Sequence, residues 1–273
     1  MNPKNTLLAF ALATLSINAA AHRPWLLPQT TNVEGKEGWA TIDGAISEGL
    51  FDIDHVALKL DGAMVTSPDG VSTPAPTPHM GKQRSTFDLK LDQSGTYKVS
   101  LVNTGVMASY KDGAETKRFR GSEADFAKTV PASAPELRTV HTQSRLETFV
   151  TLNESSTRAL KPSGVGLEMV PLTHPTDLRA GETAKWRFQL DGRPLPKFAF
   201  SLTPSGVRYR GVLGEQRLTT DARGEVALRL PNPGMYWVYA GYPVTSEKGG
   251  IPETGPAATR RFSYAATLEV LPD

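Results

Sequence analysis

The chain has 273 residues, 39% hydrophobic and 21% charged, with a formal net charge of +2 at pH 7. That composition predicts a folded, soluble protein with no basic excess to recruit nucleic acid. There is no cysteine, which excludes disulfides, thiolate metal sites, iron–sulfur clusters and Cys nucleophiles.

Residues 1–21 read as a secretory signal peptide. Lys4 sits in a short n-region, residues 7–15 form an apolar run, and Ala19 and Ala21 are the small residues before the Ala21/His22 bond. The run is too short to span a bilayer as a helix. The expectation is Sec export to the periplasm, with no membrane span in the mature chain. Cleavage after Ala21 makes His22 the N-terminal residue. Its α-amine and imidazole then close a chelate ring on one cation. Nitrogen donors of this kind suit Cu(II), Ni(II) and Zn(II).

From there the chain reads as strands. Arg23-Pro24-Trp25-Leu26-Leu27-Pro28 is extended, because two prolines bracket an apolar triplet. Residues 38–46 alternate as a strand, and Phe51-Asp52-Ile53-Asp54-His55 is a loop carrying two acids and a histidine. Short strands are predicted at 56–60 and 64–67, each ending at an Asp-Gly turn signal. Residues 71–84, rich in Pro, Thr and Ser, read as a loop. Strands at 85–91 and 94–102 follow, with Phe87, Leu89, Leu91, Tyr97, Val99 and Leu101 facing inward. Tyr110–Gly113 is a hairpin turn into Lys117-Arg118-Phe119-Arg120, and Ser122 with Asp125 caps one short helix at 123–128. Residues 144–153 form another strand.

The polar stretch 154–166, with Pro162, Gly164 and Gly166, is the predicted boundary. It separates an N-terminal β-sandwich domain, 22–160, from a C-terminal one, 165–273. Strands in the second are predicted at 165–171, 181–190, 198–202, 217–220, 225–230, 234–240 and 264–271. A weak echo links the halves: Gly95-Thr96-Tyr97 and Gly234-Met235-Tyr236 each follow an alternating strand and a short turn. The predicted fold is mostly β, two tandem immunoglobulin-like or prealbumin-like sandwiches with one short helix.

No G-x-S-x-G, H-E-x-x-H, P-loop or Rossmann fingerprint is present, so no enzyme is predicted. The five histidines, His22, His55, His79, His141 and His174, are never paired at i,i+2 or i,i+4, so any metal site must be assembled by folding. The candidate ligands are His22 and His55, with Asp52 and Asp54 in support, since carboxylates beside imidazole either orient it or ligate. Tyr110, Lys117, Arg118 and Arg120 form a basic and aromatic cluster suited to an anionic ligand or a partner. The four tryptophans, Trp25, Trp39, Trp186 and Trp237, read as core or near-core residues.

The stretch Ala21–Pro28, the Phe51–His55 loop, the block from Ser109 to Gly121 and the segment from Leu172 to Glu182 together resemble the bacterial exported "domain of unknown function 4198" family, described as nickel-transport-associated. The resemblance implies a periplasmic, mostly β protein tied to transition-metal uptake. Its implied cofactor is a divalent metal (nickel, copper, iron or zinc). Its implied partners are uptake components, an outer-membrane receptor or an inner-membrane permease. The matching histidines are His22, His55 and His174. The alternative expectation is a metal-free immunoglobulin-like module that docks a receptor, transporter or glycan.

Overall fold

The computed structural model describes residues 22–243 and 258–273. The predicted signal peptide therefore lies outside the described residues. The strands are β1 (Arg23–Pro28), β2 (Asn32–Val33), β3 (Gly38–Ser47), β4 (Val56–Ala57), β5 (Met64–Thr66), β6 (Ser72–Pro74), β7 (His79–Met80), β8 (Ser85–Leu91), β9 (Gly95–Asp112) and β10 (Glu115–Gly121). Helix α1 (Glu123–Thr129) precedes β11 (Arg138–Leu152), β12 (Leu167–Pro171), β13 (Thr183–Leu190), β14 (Arg193–Pro194) and β15 (Ala199–Pro204). The one-turn helix α2 (Val207–Arg210) precedes β16 (Gln216–Thr219), β17 (Glu225–Arg229), β18 (Gly234–Tyr242) and β19 (Ala258–Val270). The protein is mostly β, as its alternation predicts, and its sheets pack as sandwiches.

Helix α1 begins where its capping box stands: the Ser122 hydroxyl accepts from the Asp125 N–H. One helix was expected, and α2 is the addition. It is a single turn held between Gly206 and Gly211, both in the left-handed region, which a hydrophobic-periodicity argument does not detect. The predicted loop 71–84 contains two short strands, β6 and β7. Trp25, Trp186 and Trp237 are buried, whereas Trp39 is 59% exposed, at an outward position of β3.

Three sheets are present among the described residues. The first runs β1-β3-β8-β7, with β4 also on β3. The second, ten-stranded, runs β16-β15-β18-β19-β11-β9-β5-β6, with β10 on β9 and β2 on β11. The third holds β12, β13, β14 and β17. Alternation decides the faces. In β8, Phe87, Leu89 and Leu91 are buried while Asp88 and Lys90 are exposed. One core lies between the first sheet and the second, around Trp25, Ile42, Leu91 and Leu101. The other lies between the second and the third, around Trp186, Phe188, Phe200 and Tyr264. Each such side chain fully buried contributes about 1.5–3 kcal/mol.

The ten-stranded sheet crosses the predicted 160/165 boundary. β11 lies parallel to β19, from Thr139 beside Ala258 to Thr148 beside Thr267. Trp237 and Ala265 join the first core, and Phe149 joins the second. The boundary segment is also tied down. The Glu168 carboxylate accepts from the Ser163 N–H (2.8 Å), the Ser163 hydroxyl (2.9 Å) and the Gly164 N–H (2.9 Å). The polar stretch connects β11 of the ten-stranded sheet to β12 of the third sheet. Its polarity reflects these hydrogen bonds, which composition alone does not distinguish from a linker.

The Gly-x-Tyr echo is a structural repeat. Gly95 and Gly234 share φ +131°, a backbone that favours glycine. Tyr97 donates its hydroxyl to the Gln93 carbonyl at 3.1 Å, and Tyr236 to the Asn232 carbonyl at 2.9 Å. Each ties a strand start to the residue four positions earlier, a corner common in β-sandwiches.

Candidate metal centre

The first sheet positions the site. Arg23 lies opposite Ser47 in the β1–β3 register, so one step outward places His22 beside Glu48. On the other side of β3, Val56 lies opposite Ile46, which places His55 level with Ser47. Both histidines therefore reach the same end of β3 from flanking strands. Their rings stack at 4.1 Å between centroids with 23° between planes. His22 Nε2 lies 3.8 Å from Glu48 Oε1. One ligand atom from each of His22, Glu48 and His55 lies within 4.8 Å of the other two, and all three residues are exposed.

The loop joining β3 to β4 is stiffened underneath. Asp54 accepts from the Glu48 N–H at 3.0 Å and from the Gly49 N–H at 2.8 Å, using both carboxylate oxygens. Arg23 donates to the Glu48 carbonyl at 2.7 Å, and the Asp52 N–H donates to the Gly49 carbonyl at 2.8 Å. A Cβ on Gly49 would crowd the Asp52 carboxylate, which would have to turn aside. Leu50 is buried. Trp25 donates its indole N–H to the Ser47 hydroxyl at 2.8 Å and packs edge-on against Phe51. Glu48 is thus held at both its N–H and its carbonyl, while its carboxylate faces solvent beside two imidazoles.

Of the four predicted metal residues, the fold brings His22 and His55 together. Asp54 closes the loop. Asp52 lies 3.7 Å from Arg208 Nε and outside the three-residue group. Glu48 takes the carboxylate place, and sequence reasoning missed it. Its signal is the β1–β3 register, which is a pairing fact and is not visible in residue spacing.

The other histidines are elsewhere. His174 is packed between strands: its Nε2 lies 3.1 Å from the Thr96 hydroxyl and 3.0 Å from the Ser156 carbonyl, and its Nδ1 lies 3.1 Å from the Thr176 hydroxyl. His141 Nδ1 lies 2.6 Å from Glu123 at the start of α1. His79 is exposed on β7.

The Tyr110, Lys117, Arg118 and Arg120 cluster is divided by its hairpin. Lys117 lies opposite Tyr110 and Arg120 opposite Met107. The pleat sends Lys117 and Phe119 to one face and Arg118 and Arg120 to the other. Phe119 packs on Phe126 of α1, so α1 covers the first face, where Lys117 pairs with Asp112.

The donor set fits a first-row transition metal. Two imidazoles and a carboxylate suit Cu(II), Ni(II) and Zn(II), whereas Mg(II) and Ca(II) select oxygen ligands. Two nitrogens bound to one ion at about 2.0–2.1 Å are at most about 4.2 Å apart. Rotation of exposed side chains covers the remaining difference.

Fold and site describe a β-sandwich protein with an exposed His–Glu–His group at one sheet end. The chain belongs to the family described as "Domain of unknown function (DUF4198)", which matches residues 19–243. No curated protein sequence matches it. Among solved structures it is similar to the D0-D1 domain of intimin, at 13% identity over 90% of this chain and 97% of that one, with a TM-score of 0.23. It is also similar to a DUF4785 family protein from Legionella pneumophila, at 10% identity over 78% of this chain and 50% of that one, TM-score 0.24. A third similarity is to trypsin-activated alpha-2-macroglobulin from Escherichia coli, at 13% identity over 93% of this chain and 16% of that one, TM-score 0.23. At such TM-scores nothing about the site follows from these structures.

Proposed function

We propose that this protein is a periplasmic, non-enzymatic accessory of transition-metal uptake that binds Cu(II), Ni(II) or a related ion at His22, Glu48 and His55. The observation that carries the reading is the convergence of three metal-ligating side chains within 4.8 Å at one end of β3. Signal cleavage after Ala21 would add the His22 α-amine as a fourth donor. The ion would then sit on a rigid sheet end but in contact with solvent, which suits handover to a receptor or permease better than permanent retention.

The test is calorimetric titration of Cu(II) and Ni(II) into mature protein beginning at His22. Three variants accompany it: His55→Ala, Glu48→Gln, and a chain extended by one alanine before His22. The expected result is a loss of about tenfold or more in affinity for His55→Ala and for the extended chain, since each removes a donor. Wild-type affinity in all three would sink the proposal. Acidification should weaken binding, because nitrogen donors must be deprotonated to ligate.

A further inference from the structure

A second feature lies on the ten-stranded sheet, away from the histidines. An open groove of about 950 Å³ crosses five of its strands and reaches β10 and β16 at its edges. Register shows how its floor is built. Ser201 pairs with Tyr239, Gly241 with Ser263, Ser263 with Ser144, and Thr142 with Gly105. Alternation puts all of these on one face. Further along the same face Trp237, Ala265, Leu146 and Leu101 lie under the N-terminal core. The groove begins where that cover ends, and its Gly, Ser and Thr residues are too small to fill it.

Three arginines line it. Arg261 shares the floor face of β19 with Ser263, Arg217 lies opposite Ser201, and Arg120 lies opposite Met107, two residues from Gly105. None of these three side chains has a hydrogen bond, ion pair or ring contact among the described residues. Most of the other arginines are partnered, such as Arg145, Arg187, Arg223 and Arg260. Among the described residues the one carboxylate in the lining, Glu215, accepts the Ser201 hydroxyl. Arg120 and Arg217 stand at opposite edges of the groove, six strand spacings or about 29 Å apart along the sheet, with Arg261 between them.

A guanidinium is a planar fork of donors that matches a carboxylate with two parallel hydrogen bonds. The three forks come from β10, β16 and β19, so one carboxylate does not satisfy them all. We propose that this groove binds an extended acidic peptide, whose successive carboxylates meet Arg120, Arg261 and Arg217 above the floor hydroxyls. Tyr239, 38% exposed, supplies an aromatic wall. A small free acid does not reach from one edge arginine to the other. The inference does not rest on the metal reading.

The experiment is calorimetric titration of metal-free mature protein at low salt with an octaglutamate peptide, with citrate and with inorganic phosphate. It is repeated on the three Arg→Gln single variants, on the triple variant and on His22→Ala. Circular dichroism melts establish that the variants fold, which exposed side chains without partners lead us to expect. The proposal predicts that octaglutamate binds more tightly than citrate or phosphate, with each single variant about tenfold weaker for octaglutamate. It also predicts no binding by the triple variant and unchanged binding by His22→Ala. Citrate binding as tight as octaglutamate overturns the peptide assignment. No binding of octaglutamate overturns the proposal, as does a folded triple variant with wild-type affinity. Phosphate binding as tight as octaglutamate overturns the carboxylate assignment.

Discussion

Two clusters of ionisable groups occupy opposite situations in this molecule. At the end of β3, His22, Glu48 and His55 are exposed, and their donor atoms face one another and solvent. Between β11, β12 and β19, the charged residues are buried and turned on each other. Arg145 Nη2 donates to the Ser163 hydroxyl at 3.0 Å and to the Val165 carbonyl at 3.1 Å, and Arg145 Nη1 lies 3.5 Å from Glu147 Oε1. Tyr264 donates to Glu147 Oε2 at 2.9 Å, and Gln189 donates to Glu168 Oε2 at 3.0 Å. Nearly every polar atom of the buried cluster is spent internally; Arg145 Nε is the exception. The lesson is that satisfied charge is architecture, while convergent but unspent donors are where a ligand belongs.

The largest test of that contrast is Arg145→Leu. It leaves Glu147 and Glu168 buried without their guanidinium, and breaking a buried pair from one side costs about 3–5 kcal/mol. Denaturant unfolding should show a loss of that order, and a loss under 1 kcal/mol would remove the distinction between the two clusters. Next comes Tyr264→Phe, which leaves Glu147 short of one donor at an expected cost of about 1–3 kcal/mol. Burial first, and then the Glu147 carboxylate, push the Tyr264 hydroxyl well above its ordinary titration range. A group whose folded pKa is raised contributes stability that is intact below the unfolded value, about 10, and is lost as pH climbs above it. Wild-type stability should therefore fall on the alkaline side of pH 10, more steeply than that of Tyr264→Phe. The smallest effects belong to the exposed cluster. Without metal, His22→Ala and His55→Ala should change unfolding stability by no more than about 0.5 kcal/mol each, the usual range for surface positions. A loss of several kcal/mol from either would mean that the histidines serve the fold.

Much of the architecture was legible in the chain. Residues 85–91 alternate so regularly that strand and inward face follow directly, and β8 has those bounds. Ser122 and Asp125 announce α1. The Gly-x-Tyr echo announces two matching corners. The site was half legible: His22 and His55 stand out as rare nitrogen donors, one at a predicted cleavage point and one in an acidic loop. Glu48 did not, because nothing local separates it from other surface glutamates. Asp54 was legible as a supporting carboxylate, but not its partners, the Glu48 and Gly49 N–H groups, because a carboxylate that closes a loop and one that awaits a cation look alike in sequence.

The amino-acid order alone determined the strand-rich character, the turns and the helix start, because these depend on alternation, glycine conformation and capping within a few residues. Tertiary structure decided which strands became neighbours. Parallel pairing of β11 with β19 joins residues more than a hundred positions apart and carries one sheet through the expected boundary. The registers of β1 and β4 on β3 gather two histidines and a glutamate, and those of β10, β16 and β19 set three arginines around one groove. Such meetings depend on long-range hydrogen-bond register and burial, which local residue patterns do not encode.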